Sequence, residues 1–153
     1  VLNVDDGYVF EPDRAKLVPG AIEAVRTANE NGFRTIIVTN QSGVARGYFS
    51  EEKVKSFLNW MSEHFRENGA ILDVAYYCAH LPEAPVEEYR IRCDGRKPAP
   101  GLVLRAIAEW SIDPSASLFV GDSPRDMEAA TAAGVRAALF PGGNLDEFLR
   151  SHL

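Results

Sequence analysis

Two cysteines, Cys78 and Cys93, are too few for a disulfide framework, and no apolar run is long enough to span a bilayer. Positive charge is also scarce. Sixteen Lys and Arg face 22 Asp and Glu, a formal charge of -6, so no basic field is expected to hold a nucleic-acid backbone or an anionic membrane. Repeats, linkers and low-complexity stretches are absent, and no segment reads as a signal peptide. With 153 residues, 46% hydrophobic and 25% charged, the chain has the profile of an ordinary soluble protein with one domain over 1–153. A cytoplasmic monomer with neither nucleic-acid nor membrane partners is expected.

Apolar periodicity then lays out the elements. Pro19-Gly20 opens a helix whose apolar side carries Ala21, Ile22, Ala24, Val25 and Ala28, and Asn31-Gly32 ends it. The β-branched run Arg34 to Thr39 follows, with the little alternation expected of a strand covered on both faces. Ser50 caps a helix with Val54, Phe57, Leu58, Met61 and Phe65 at helical spacing, stopped by Asn68-Gly69. Ile71 to Tyr77 reads as a strand and Cys78 to Gly95 as an irregular excursion. Pro98 and Pro100 lead into a helix through Trp110. Leu118-Phe119-Val120 is a short strand, Pro124 to Ala133 an alanine-rich helix, Val135 to Phe140 a last strand, and Asn144 caps a terminal helix. Strands alternating with helices predict an α/β fold: a Rossmann-like, three-layer open parallel sheet with helices on both faces and no large cap domain.

Polar residues cluster where such a sheet puts its chemistry, at or just past strand ends: Thr39-Asn40, Arg96-Lys97, and Asp122 with Asp126. Thr39 offers a hydroxyl and the turn after it offers amides, so an oxyanion could be held there, although a lone strand-terminal Thr is commonly a cap. Lys97 is a compact cation with three donors suited to a phosphoryl group, and Arg96 supplies a fork for a second oxygen pair. Basic neighbours also occur as idle surface charges. Asp122 could hold a hard divalent cation, or both acids could simply answer a helix dipole. Thr, Lys and Asp around one crevice form the set needed to bind phosphate with magnesium, and phosphoryl chemistry leads.

Four stretches then resemble a known family. Val38-Thr39-Asn40-Gln41-Ser42-Gly43-Val44-Ala45-Arg46-Gly47, Tyr76-Tyr77-Cys78-Ala79-His80, Arg96-Lys97-Pro98-Ala99-Pro100-Gly101 and Val120-Gly121-Asp122-Ser123-Pro124-Arg125-Asp126 are similar to motifs of the haloacid dehalogenase superfamily. They most resemble its small histidinol-phosphate and heptose bisphosphate phosphatases, and Asn3 to Val9 resembles the heptose branch. The resemblance, from Val1 to about Gly134, implies a magnesium-dependent phosphatase of a small phosphorylated sugar, the C7 phosphate of D-glycero-D-manno-heptose 1,7-bisphosphate being the first choice. A histidinol-phosphate or other metabolite phosphatase, and an inactive phosphate-binding domain, stay open. By resemblance Thr39 is a phosphate ligand, Lys97 the lysine that neutralises phosphate and nucleophile, and Asp122 the magnesium ligand. Arg46 and Arg96 would read the sugar phosphate, Asn40 would present its amide while its side chain orients the loop, and Asp126 would support them. The implied reaction is attack by an aspartate on phosphorus, followed by hydrolysis of the aspartyl phosphate.

Two departures stand out. The family's first motif is a hydrophobic strand followed by Asp-x-Asp-Gly, and Val1-Leu2-Asn3 resembles the residues after that glycine, so neither catalytic carboxylate is named here. An N-terminal segment before Val1, supplying the central strand of the sheet, is therefore expected. Asp5-Asp6-Gly7 is set aside as a substitute because its acids are adjacent and only four residues precede them. The heptose branch also carries Cys-x-His followed by Cys-x-Cys, a spacing suited to structural zinc. Cys78, His80 and Cys93 match three ligands, but Gly95 stands in the fourth place. A zinc completed by water, His64 or His152 and a metal-free loop both remain open.

Overall fold

The structure, a computed structural model, describes residues 1–4 and 7–153; the Asp5-Asp6 pair lies outside the described residues. Among the described residues the strands are β1 (Ile36–Asn40), β2 (Val74–Cys78), β3 (Leu118–Gly121) and β4 (Arg136–Leu139). The helices are α1 (Ala21–Glu30), α2 (Glu51–Glu67), α3 (Gly101–Trp110), α4 (Pro124–Ala132) and α5 (Leu145–Arg150). This is the expected α/β alternation of parallel strands and helices, without a large cap. No helix among these residues is long and apolar enough to cross a membrane.

The strands are hydrogen-bonded as two ribbons, β1 with β2 and β3 with β4. The β3–β4 pair is parallel, with Leu118 opposite Arg136 and Gly121 opposite Leu139. Bonds from Asp73 N–H to Thr35 O (2.8 Å) and from Gln41 N–H to Cys78 O (2.7 Å) advance in the same direction, so β1 and β2 are parallel too. With only two strands per ribbon, β1 is half-buried along its whole length, where its sequence reads as covered on both faces.

The chain packs into two compact units. The first comprises Val1–Ile37, Glu51–Ala75 and Phe140–Leu153. Here α1 buries Ala21, Ala24, Val25, Thr27 and Ala28, and α2 buries Val54, Phe57, Met61 and Phe65; of the apolar stripes that the spacing predicts, Ile22 and Leu58 are only half-buried, and Thr27 joins the buried side. Gly20 precedes α1 at φ 77°, and a Cβ there would collide with the Asn144 side chain, so both backbone and space require glycine. Asn144 in turn caps α5 by accepting from Glu147 N–H at 3.1 Å. Strand β2 starts at Val74, later than the apolar run suggests, because Ile71 is bonded elsewhere. Its N–H donates to Asn29 Oδ1 (2.7 Å), and its carbonyl accepts from Asn29 Nδ2 (3.1 Å) and Thr35 Oγ1 (2.9 Å).

The second unit comprises Val38–Ser50 and Tyr76–Leu139. Its core joins Val103, Ala130, Ala133 and Val135, with Val38, Ile107, Phe119 and Ala137 packed around them. The alanines of α4, with Ala129 and Ala130 fully buried, let that helix lie close to the β3–β4 ribbon. A smaller cluster of Ala45, Leu81 and Ala84 under Tyr89 anchors the excursion after β2, helped by the bond from Arg90 Nε to Ala84 O (2.8 Å).

Candidate active site

Thr39, Asn40, Arg46, Arg96, Lys97, Asp122, Asp126 and the Cys78, His80 and Cys93 group all belong to the second unit. Thr39 and Asn40 end β1, Asp122 directly follows β3, and Asp126 lies in the first turn of α4. Lys97 comes from the loop before α3, and its backbone is clasped by a side chain 57 residues away. Asn40 Oδ1 accepts from Lys97 N–H at 2.9 Å, and Asn40 Nδ2 donates to Lys97 O at 3.1 Å. The ammonium donates to Asp126 Oδ1 at 2.5 Å and to Val38 O at 3.3 Å. Lys97 and Asp126 keep only 13% and 7% of their side-chain surface exposed, so this is a buried ion pair.

Asp126 is more than a helix-dipole acid. Its Oδ2 accepts from the N–H groups of Asp122 (3.1 Å) and Ser123 (3.2 Å) and from Ser123 Oγ (3.2 Å), so one carboxylate ties β3's end to α4 and to Lys97. Burial pushes this carboxyl up, but the Lys97 bond and charge, with the Asp122 and Ser123 donors, outweigh it and hold the group below the usual carboxylate range. Gly121 makes the arrangement possible, because a Cβ there would collide with the Asp126 side chain. The sequence marks Gly121 only as the end of a strand. Asp126's bonds commit it to this network; Asp122, just past the end of β3, is exposed, and a carboxylate is the kind of hard ligand magnesium takes.

Thr39 Oγ1 accepts from Gln41 Nε2 at 3.2 Å. Arg46 and Arg96 are half-buried, and each keeps a buried N–H without an acceptor among the described residues, Nε of Arg46 and Nη1 of Arg96. Buried guanidinium donors rarely stay unsatisfied, and an anionic ligand is one way to satisfy them.

Cys78, His80 and Cys93 form a second group, their donor atoms all within 4.8 Å of one another. The two sulfurs are 3.3 Å apart as free thiols, and burial pushes the Cys78 thiol up to about 11. His80 Nδ1 is buried with no hydrogen-bond partner, as a metal ligand's lone pair would be. The donor set therefore fits zinc. His64 and His152 belong to the first unit, where His64 stacks on Trp60 and His152 Nδ1 lies 2.9 Å from Phe148 O.

Residues 1–134 match the family described as haloacid dehalogenase-like hydrolase. The D-glycero-beta-D-manno-heptose-1,7-bisphosphate 7-phosphatase of Rhodopseudomonas palustris is 40% identical over 153 residues, 100% of this chain and 85% of that protein. The enzyme of the same name from Yersinia pestis is 46% identical over 134 residues, 88% of this chain and 71% of its own. Among solved structures, the D,D-heptose 1,7-bisphosphate phosphatase of B. bronchiseptica, complexed with magnesium and phosphate, superposes with a TM-score of 0.82 at 30% identity, covering 99% of this chain and 81% of that one. A HAD-like phosphatase of Mesorhizobium loti gives a TM-score of 0.86 at 35% identity over 93% of this chain and 68% of its own. From its sequence relatives, its fold and the family match, this chain belongs to the haloacid dehalogenase-like hydrolases.

Proposed function

We propose that the protein is a magnesium-dependent phosphatase that removes the C7 phosphate of D-glycero-D-manno-heptose 1,7-bisphosphate. The observation that carries this reading is Lys97, a nearly buried cation held at the strand ends by Asn40, Asp126 and Val38 O, in a chain whose relatives are named for that reaction. Two of the three ammonium protons have protein acceptors, so a third can meet a phosphoryl oxygen. Thr39 would donate its hydroxyl, and Asn40 its backbone amide, to the same phosphoryl group. Arg46 and Arg96 would take the sugar phosphate with the N–H groups that lack protein acceptors. Asp122 would hold magnesium, which when bound supplies charge neutralisation at phosphorus. Asp126 would position Lys97 rather than touch substrate. The nucleophilic and acid/base aspartates implied by the family are assigned to no residue of this sequence.

Cys78, His80 and Cys93 would hold a structural zinc that fixes the loop after β2, away from the bond-breaking step. The protein would act as a monomeric single domain in the cytoplasm, where both thiols stay reduced. Neither unit is a continuous segment, which supports one domain over 1–153.

The test is phosphate release from the β-anomer of the bisphosphate, with magnesium and with a chelator, alongside histidinol phosphate. One equivalent of phosphate, lost on chelation, is expected from the heptose bisphosphate. Lys97→Ala should lower turnover by about a hundredfold or more while the protein stays folded by circular dichroism. Undiminished release by that variant overturns the assignment, and preference for histidinol phosphate moves it to the other branch.

A further inference from the structure

The metal-capable group after β2 is one ligand short. Structural zinc is held by four protein donors, whereas a shell of three protein ligands keeps a position for water or another small molecule. Among the described residues the group is Cys78, His80 and Cys93, with no fourth Cys, His, Asp or Glu. The spacing shows where the missing donor would stand. His80 follows Cys78 by two residues, and the residue that follows Cys93 by two is Gly95.

Gly95 is buried, and a side chain would fit there. A Cβ built on it would lie 3.4 Å from Cys93 Sγ and 3.4 Å from Leu102 Cδ2, both ordinary contacts. The backbone therefore already brings residue 95 beside a ligand sulfur, and only the donor atom is absent. By contrast, a Cβ at Gly101 would collide with the Asp94 backbone, so glycine is sterically required there and not at position 95.

We infer that Cys78, His80 and Cys93 form a three-ligand zinc site whose fourth coordination position, on the Gly95 side, is left to an exchangeable ligand from solution, water or a small anion or base. The inference rests on the zinc reading above and goes beyond it by assigning what completes the shell of the loop-fixing metal. Two thiolates and a neutral imidazole balance the charge of a divalent zinc, so either a neutral or a singly charged fourth ligand is electrostatically tolerable. Such a site binds its metal and also answers to small molecules in the medium, which a closed four-donor shell does not.

Cobalt(II) is the probe, because its visible bands report coordination number and thiolate count directly. The protein is stripped of metal, loaded with cobalt and titrated with azide or imidazole. Tetrahedral bands with thiolate-to-cobalt charge transfer are expected, and the added ligand should shift them saturably. In Gly95→Cys the charge-transfer intensity should rise about 1.5-fold, three thiolates replacing two, and the response to azide should disappear. A cobalt spectrum in the unmodified protein that ignores both azide and imidazole overturns the open position while leaving the zinc reading intact. Failure to take up cobalt at all, with the same spectrum as a Cys78→Ser control, overturns both. The azide and imidazole arms need no variant, so the outcome does not depend on how Gly95→Cys folds.

Discussion

Asp126 in the first turn of α4 and Asp146 in the first turn of α5 are held in the same manner, yet their cations have different fates. Asp126 accepts from Lys97 and from the Ser123 hydroxyl; Asp146 accepts from the Thr27 hydroxyl at 2.6 Å and from Arg150 Nε at 2.9 Å. For each carboxyl, burial pushes upward and the hydrogen bonds and cation prevail, leaving it below its ordinary range. Lys97 is 13% exposed and Arg150 is 62% exposed. Arg150 keeps its water and acts as a modest staple between α5 and α1, since exposed ion pairs contribute little. Lys97 has given up most of its hydration, and a buried ion pair is seldom more stabilising than an apolar pair of the same volume. Stability alone does not account for a buried lysine at the strand ends, whereas the proposed role in holding phosphate would.

The sharpest way to break this contrast is to remove Asp126. Asp126→Ala leaves Lys97 without its counter-charge and three further donors without an acceptor, so urea unfolding should show a loss of about 3–5 kcal/mol and turnover should fall with it. Lys97→Met with Asp126→Leu should recover only the part of the loss that comes from the unpaired ammonium, since the Asp122 and Ser123 donors still lack an acceptor, and none of the activity. The milder Asp126→Asn tests the charge by pH. A carboxyl depressed in the folded state contributes in full above its unfolded value of about 3.9, and the contribution is lost as pH falls through the folded value. Asp126→Asn should therefore flatten the acid limb of the stability curve below about pH 4. An acid limb unchanged from the parent would mean that the pair does not hold the fold as described.

Elements were legible in the sequence where local chemistry decides them. Asn31-Gly32, Asn68-Gly69 and Asn144 mark helix ends because capping is a matter of one or two residues, and α1, α2 and α5 stop or start beside them. Long-range bonds left no such trace. Asn40 reads as a strand-end residue whose side chain orients its own loop, and nothing local says that it grips a backbone 57 positions on. Asp126 at the third position of a helix looks like any dipole acid until Lys97 is found against it. Pairing of the strands as two ribbons was likewise invisible, since periodicity reports which faces are apolar and not which edges are bonded.

On the other side of the comparison, Thr27→Val removes the hydroxyl that donates to Asp146 and accepts from Arg150 Nη2 at 3.0 Å. Thr27 is buried, so leaving Asp146 Oδ1 without its Thr27 donor and Arg150 Nη2 without its Thr27 acceptor should cost about 1–3 kcal/mol in thermal or urea unfolding. Phosphate release per folded molecule should not change, because this network belongs to the other unit and includes none of the proposed site residues. A loss of activity at full folding would end the division into a structural and a functional aspartate.

Arg150→Ala should have the smallest effect, at most about 1 kcal/mol, because the guanidinium is mostly in water on both sides of the unfolding equilibrium. Its salt dependence sharpens the contrast further. At about 1 M salt the screening length falls to about 3 Å, so the difference between Arg150→Ala and the parent should shrink toward zero. The difference between Asp126→Asn and the parent should persist, since ions do not screen a pair from which solvent is largely excluded. Urea unfolding of both variants at low and high salt measures this directly. If the two differences shrink together, Lys97 is as accessible to ions as Arg150, and burial is not what separates the two aspartates.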